Sequence, residues 1–464
     1  MVYARDMPTA HRGSQLGEVI KAYMKTRGLT THDAMARVLG VERSLVTKYV
    51  QGSRTCRDVE QLLRFAEAME IAPEVFGLSG NAHSPHWSAD IAEWKVIRQT
   101  LNRNRHALTS VAAHMYWDPV RIEGTRCLSR PGWLAAEPLD LDAVQLDLAP
   151  DVDEPLMNGG EVESETVRPV RVDGPRYERY SQAVRAIAQP ALFENRTSYR
   201  LLDAEFDQRG GRMRFGLTTY FDMLDVCEAL AHETAAAWVA SGSPDRLDLG
   251  ELPFRQRIGD LFDTGRRALL PSINTLTIRR GNDGDTFFLH RRGQGSVTLA
   301  AGLSHIIPAG VFQPAAVGPW NVARDFDLWR NMLREFFEEF LDAPEHDGSR
   351  GTSVDYAEEP YALLSRARRD GGIRVWCFGV GLDPLAPAGE ILTTAVFDAE
   401  TFDRAFSGIV SQNAEGEIET IGDGTLGTPW TADNVRRVLN HEPLAPAAAA
   451  CIALTWRHRA MLLP

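Results

Sequence analysis

Cysteine is scarce in this chain, with five among 464 residues: Cys56, Cys127, Cys227, Cys377 and Cys451. Their number is odd, they lie far apart and no pair has CxxC spacing, which argues against both a disulfide framework and a structural zinc site. A reducing, cytoplasmic setting is the natural expectation. The sequence also lacks any apolar run near the ~20 residues needed to cross a bilayer, and its first residues lack the basic-then-apolar order of a signal peptide. No membrane partner is therefore expected. No repeat of fixed period is visible, which argues against a solenoid or propeller. There is neither a P-loop nor a Gly-x-Ser-x-Gly elbow. Gly379-Val-Gly381 is not followed by the helix-opening glycine of a dinucleotide fingerprint, and His232-Glu233 lacks the second histidine of a zinc-protease helix.

What the chain does have is length, apolar residues and an uneven charge. At 44% hydrophobic it can bury more than one core, which excludes a disordered protein. The net charge of −13 conceals an asymmetry: residues 1–55 carry nine Lys and Arg against four acids, a local +5, leaving −18 on the rest. A phosphate backbone is attracted to the first part and repelled by the second, so a nucleic acid is expected to meet only the N-terminal end.

Within that basic segment, Leu16, Val19, Ile20, Tyr23 and Met24 form a helical apolar stripe that stops at Arg27-Gly28. Thr31 stands where an N-cap belongs, and a second helix burying Ala34, Met35, Val38 and Leu39 breaks at Gly40 after barely two turns. A third runs from Glu42 to Gln51, with Leu45, Val46, Tyr49 and Val50 inward and Arg43, Ser44, Thr47, Lys48 and Gln51 outward; Val59 to Ile71 supplies a closing helix. Two short helices joined at a glycine, the second carrying donors on its free face, have the geometry that places a recognition helix in the major groove.

Leu16-Gly17 through Gly28-Leu29, Ala36 to Val41 and Arg43 to Gly52 resemble the XRE, or lambda-repressor-like, helix-turn-helix family. The resemblance assigns residues 12–80 to a DNA-binding domain for double-stranded DNA. It implies that Thr31, His32, Arg43, Ser44, Thr47, Lys48, Gln51 and Arg54 face the duplex. His32 stands where the family often has glutamine. A small helical bundle used for protein contact is the alternative.

Residues 81–175 read as a connecting segment: a linker over 81–87, one or two helices to about residue 116, then a proline-rich stretch and an acidic, breaker-rich run, 140–175, expected to be mostly irregular. Beyond it the pattern is α+β. Tyr199–Phe206 with Met213–Thr219, and Leu276–Arg280 with Thr286–His290, read as hairpins; a helix containing Leu224, Cys227, Leu230 and Ala231 lies between them. Ile373–Phe378 and Glu390–Phe397 read as strands, and the alanine-rich run Ala445–Leu454 as a buried helix that packs at home or against a second chain.

In the helix around Leu333–Leu341, Glu335, Glu338 and Glu339 fall at i, i+3 and i+4, so their carboxylates project from one side, a donor set a hard cation such as Mg²⁺ accepts. Arg334 is placed to neutralise part of that charge. An ordinary solvated amphipathic helix is the other reading of the same spacing.

Arg334-Glu335, Phe336, Phe337 and Glu338-Glu339, with Pro308-Ala-Gly310 before them, resemble the end of a Nudix box. The resemblance implies Glu338 and Glu339 as metal ligands and Glu335 as ligand or catalytic base in hydrolysing a nucleoside diphosphate derivative. The box is incomplete: its earlier glutamate falls on Phe326, its first glycine on Trp320 and its last glycine on Leu341. That pattern favours a Nudix-like fold, residues 176–464, kept for binding a nucleotide-type or other small ligand.

The expectation for the whole is thus a multidomain chain: an all-α helix-turn-helix head, then an α+β Nudix-like sensor domain with a mixed sheet, acting as a homodimer. An active Mg²⁺-dependent hydrolase with a DNA-binding head, and a protein-interaction module, are the competing readings.

Overall fold

In the computed structural model, which describes residues 16–56, 58–69, 71, 73–76, 85–116, 120–190, 193–292, 303–316, 318–343, 353–409, 416–418 and 427–464, the chain divides into two units. One consists of Met1–Glu93 with Pro169–Arg176, the other of Trp94–Arg168 with Tyr177–Pro464.

The first unit is built on four helices, α1 (Leu16–Thr26), α2 (His32–Leu39), α3 (Arg43–Val50) and α4 (Val59–Ala68). Thr31 caps α2 as its sequence position suggests, its hydroxyl accepting from Ala34 N at 3.2 Å. Gly40 ends α2 at φ 63°, a left-handed conformation that L side chains avoid, and so turns the chain sharply into α3. Leu16, Ile20, Met35, Leu39, Val46, Tyr49, Phe65 and Ala66 form a single small core. Ala34, Val38, Leu45 and Val50, expected inward, are half-buried at its edge. Gly17 is the point where α1 meets α3: a Cβ there would lie 2.3 Å from the carbonyl oxygen of Tyr49.

The second unit centres on a seven-stranded mixed sheet in the order Leu134–Asp140, Ile373–Leu382, Gly389–Asp398, Pro271–Arg280, Thr286–Phe287, Thr428–Pro429, with Ala309–Val311 also paired to Pro271–Arg280. The two central strands, Pro271–Arg280 and Gly389–Asp398, run parallel in register from Pro271↔Gly389 to Arg280↔Asp398; the other pairings are antiparallel. Alternation along the strands sends side chains to two cores. Ile273, Val375, Ile391 and Phe397 share one with Met332, Leu333, Phe336 and Phe340 of the helix Leu328–Leu341. Leu276, Phe378, Leu392 and Val396 share the other with Ala447, Ala448, Ala450 and Ile452 of the helix Pro446–Arg457. Each large apolar side chain so buried contributes about 1.5–3 kcal/mol. The alanine-rich helix therefore packs on its own sheet, where small side chains let it lie close to the strands.

A second sheet joins the antiparallel hairpin of Thr197–Phe206 and Gly211–Thr219 to a parallel strand, Val144–Leu148; a third comprises Gly416–Ile418, Leu289–Arg292 and Ser304–Ile306. The stretch 140–175 is mostly irregular, as expected, with regular structure confined to Asp140, the edge strand Val144–Leu148 and the short 3-10 turns Leu141–Ala143 and Val162–Val167. One expectation needs correction. The boundary is not at residue 176, since Trp94–Arg168 belongs to the second unit. The linker expected over 81–87 lies partly outside the described residues, and a helix already begins at Pro85. The second expected hairpin is short: Thr286–Phe287 pairs back on Ile278 and Arg279, after which Leu289–Arg292 leaves for the third sheet.

Candidate nucleic-acid interface and carboxylate helix

Residues singled out in the first unit cluster on the start of α2, along α3 and just after it. Arg43, Ser44, Lys48, Gln51 and Arg54 are exposed and Thr47 is half-buried, while Val46 and Tyr49 on the other side of the helix are in the core. Periodicity alone explains the split: i, i+4 and i+8 leave Arg43, Thr47 and Gln51 on one line. Two contacts tie α2 to α3. The His32 ring Nδ1 lies 2.9 Å from Thr47 Oγ1, and Thr47 Oγ1 donates to Arg43 O at 3.0 Å, so the hydroxyl's free lone pair is what receives His32 Nδ1–H. Arg43 also stands 3.5 Å from Asp33, both side chains mostly in water. After α3, Arg54 N and Ser53 Oγ both donate to Lys48 O, which sets the turn that carries Arg54. Ser44 Oγ donates to Glu42 at 3.3 Å in place of a cap on α3. The arrangement offers cationic and neutral hydrogen-bond donors on one exposed helical face, held by a partner helix.

The three glutamates of the helix Leu328–Leu341 stand in different surroundings. Glu339 is buried and accepts from Ala309 N at 2.9 Å. Glu335 lies against the backbone of Gly310, so close that a Cβ on Gly310 would be 2.0 Å from its carboxyl carbon, and it receives Asn331 Nδ2 at 3.5 Å. Glu338 is half-buried beside Tyr361, whose phenol is pushed up by burial and by that negative charge. Two of the three carboxylates thus serve the strand Ala309–Val311 and its helix neighbour. Among the described residues no three His, Cys, Asp or Glu side chains form a group that could hold a metal ion. The expected Mg²⁺ site at Glu335, Glu338 and Glu339 therefore does not fit the donors present, and no catalytic step through Glu335 is derived.

Neighbouring positions agree. Phe326, where the box would carry its first glutamate, packs among Tyr199, Phe215 and Phe312 at ring distances of 5.0, 5.5 and 5.7 Å. Arg334 is buried, and its donors go to Tyr356 Oη, Gln313 O and Asn331 Oδ1 at 2.5, 2.7 and 2.8 Å. It fixes the helix to its surroundings through neutral oxygens.

Sequence reasoning missed a buried polar centre in the second unit. The helical stretch after Thr219 widens into a π-turn at Leu224–Glu228, which swings Glu228 inward. Glu228 is fully buried, and its Oε1 receives both Arg98 and Arg105, themselves buried. Arg98 reaches Tyr180 Oη at 3.2 Å, and Tyr180 Oη lies 3.0 Å from His232 Nδ1. His232 stacks on Trp94 at 5.1 Å, and burial with the nearby Arg98 pushes it down to about 3, so it is neutral. Glu233 accepts from Phe254 N and Arg255 N at 2.7 and 2.9 Å, capping the helix Pro253–Ile258. His232 and Glu233 thus act as internal braces. The available sequence signal was a set of ionisable residues, Asp225, Glu228, His232 and Glu233, inside a helix otherwise rich in Ala and Leu.

No protein-family model and no curated protein matches the chain. Among the described residues no helix is long and apolar enough to cross a membrane.

Proposed function

We propose that the chain is a DNA-binding transcriptional regulator of the XRE type, whose first unit reads double-stranded DNA and whose second unit, Nudix-like in kind, takes a nucleotide-type or other small ligand. The observation that carries the reading is the outward row of Arg43, Ser44, Lys48 and Gln51 on α3, turned out by the left-handed Gly40 and braced by His32–Thr47. Arg43, Lys48 and Arg54 supply phosphate contacts, and Ser44, Thr47 and Gln51 are of a length and chemistry to reach base edges. One small head makes few base contacts, so the working species is a homodimer on two half-sites. A ligand modulates binding only by favouring one spacing of the two heads over another.

An active pyrophosphohydrolase would gather carboxylates such as Glu335, Glu338 and Glu339 on a metal ion, and among the described residues no three His, Cys, Asp or Glu side chains form such a group. The reading as a protein-interaction module remains distinguishable by experiment. Fluorescence anisotropy of the full chain on duplex DNA from upstream of its own gene, against a scrambled duplex, is expected to show sequence preference and steep salt dependence. Salt-insensitive or absent binding to every upstream duplex tried would turn the assignment toward the interaction module.

A further inference from the structure

The second unit contains a cavity of about 410 Å³ that the carboxylate helix does not touch, near the lower end of the ~300–1,000 Å³ usual for small-ligand sites. Its floor is Arg200, on the strand Thr197–Phe206. Across the hairpin Arg200 faces Gly216, and the missing side chain there is what admits Val152, which a Cβ on Gly216 would meet at 2.6 Å. One residue further, the pairing slips between Leu201 and Asp203, a bulge that re-aims the bulged residue, Leu202, toward the cavity. Leu156 N donates to Gly265 O at 3.0 Å and closes the remaining wall.

Arg200 is 4% exposed. Its two terminal nitrogens donate to Asp153 O at 2.9 Å and Thr264 O at 3.2 Å, and its Nε is buried with no partner. Carbonyls satisfy donors but do not neutralise a cation, and neither bonded partner of the guanidinium is a carboxylate. Burial pushes the Arg200 guanidinium down from its ordinary range, against the opposing pull of the Glu154 and Asp222 charges. Arg214 adds a second, exposed guanidinium, and Asp151, Asp153 and Glu154 add three exposed acidic side chains to the same lining. Leu156, 72% exposed, leaves a large apolar side chain in water beside them. A simple anion would meet the carboxylates and a simple cation would meet Arg200. A nucleoside diphosphate would bring several negative charges against three more.

We propose that this cavity binds a small zwitterion of amino-acid size, its carboxylate on Arg200 and Arg214, its ammonium toward Asp151, Asp153 and Glu154, and its apolar part over Leu156. The site narrows the ligand of the proposed regulator and rests on that reading only for its consequence. Its occupancy is measured without DNA, so a failure of duplex binding leaves it standing and the reverse holds as well.

The test is isothermal titration calorimetry of the full chain with each standard L-amino acid. Propionate and propylamine serve as single-charge controls, and ADP-ribose as the nucleotide control. At least one amino acid is expected to bind where the three controls do not. Arg214→Gln and Glu154→Gln, both at exposed positions, are each expected to weaken its Kd by about tenfold or more, the size of one charge-assisted hydrogen bond. Arg200→Gln is expected to abolish binding; should that variant not fold, the two exposed variants decide. Binding of no amino acid, binding unchanged in the exposed variants, or equal binding of propionate would each overturn the proposal.

Discussion

Replacing Arg43 and Lys48 together by alanine isolates the electrostatic part of the proposed duplex contact. The fold should tolerate the change. Arg43's one ion pair, to Asp33 at 3.5 Å, is exposed on both sides and of a kind worth no more than about 1 kcal/mol. Lys48 holds the turn after α3 through its carbonyl oxygen, which alanine retains, and alanine is the best helix former. If each cation neutralises one phosphate, the slope of log K against log salt becomes shallower by about 0.9 per contact, about 1.8 in all. Over a roughly fourfold rise in salt, from ~50 to ~200 mM, the double variant should lose about 12-fold less affinity than the parent, starting from weaker binding at low salt. Anisotropy titrations of both proteins on one duplex across that range measure the two slopes directly, with thermal melts confirming equal folding. Parallel slopes in two equally folded proteins would refute the placement of α3 against DNA.

Three further outcomes concern the scaffold. Gly17→Ala should push α1 off α3, since the new Cβ would sit 2.3 Å from Tyr49 O; despite alanine's better helix propensity a loss of about 1–3 kcal/mol is expected, read as faster amide exchange in α3, and unchanged exchange would contradict it. Glu228→Ala leaves the buried Arg98 and Arg105 guanidinia without their shared carboxylate and should cost about 3–5 kcal/mol in denaturant unfolding, so a loss below ~1 kcal/mol would show that they do not depend on it. Burial raises Asp225 to about 6, against the hydrogen bond from Ser181 N at 2.6 Å, so the fold favours its protonated form: its contribution is full below about pH 4 and is lost as pH rises through about 6. Asp225→Asn should therefore unfold with a free energy on the order of 1–3 kcal/mol above the parent's near pH ~8, and lose that advantage near pH ~4; an advantage equal at both would refute the assignment.

Legibility from sequence followed locality. The head was readable because its determinants are neighbours in the chain: Thr31 caps Ala34, Gly40 turns the backbone within one residue, and Val46 with Tyr49 define a buried side one turn apart. The central strands were readable for a related reason. Runs such as Ile373–Phe378 and Glu390–Phe397 are mostly apolar on both sides, because helices cover both faces of the sheet. Within the mostly irregular segment 140–175 the edge strand Val144–Leu148 was not legible, because it gains its place from a partner about 65 residues away and the residues around it are breaker-rich.

The glutamate helix shows what periodicity leaves open. At ~100° per residue, spacing of i, i+3 and i+4 fixes the angular position of Glu335, Glu338 and Glu339, but not what approaches that side. Here the approaching element is Ala309–Val311, and Gly310 is the reason it comes so near: without a side chain, its backbone lies where Glu335 would otherwise face solvent, and Ala309 N takes Glu339. Three carboxylates on one helical side are then a site only if nothing else uses them. The same argument runs in reverse for Arg200. On its own strand it is one arginine in a mixed run, Thr197–Phe206, with no motif around it. It becomes chemically pointed only because Gly216 opposite it, the slip at Leu202 and the carbonyls of Asp153 and Thr264 place a buried cation in the lining of a cavity, bonded to no carboxylate. A missing side chain thus closes one candidate site and opens the other. In both cases the glycine decides through what it allows to approach, which its position in the sequence does not state.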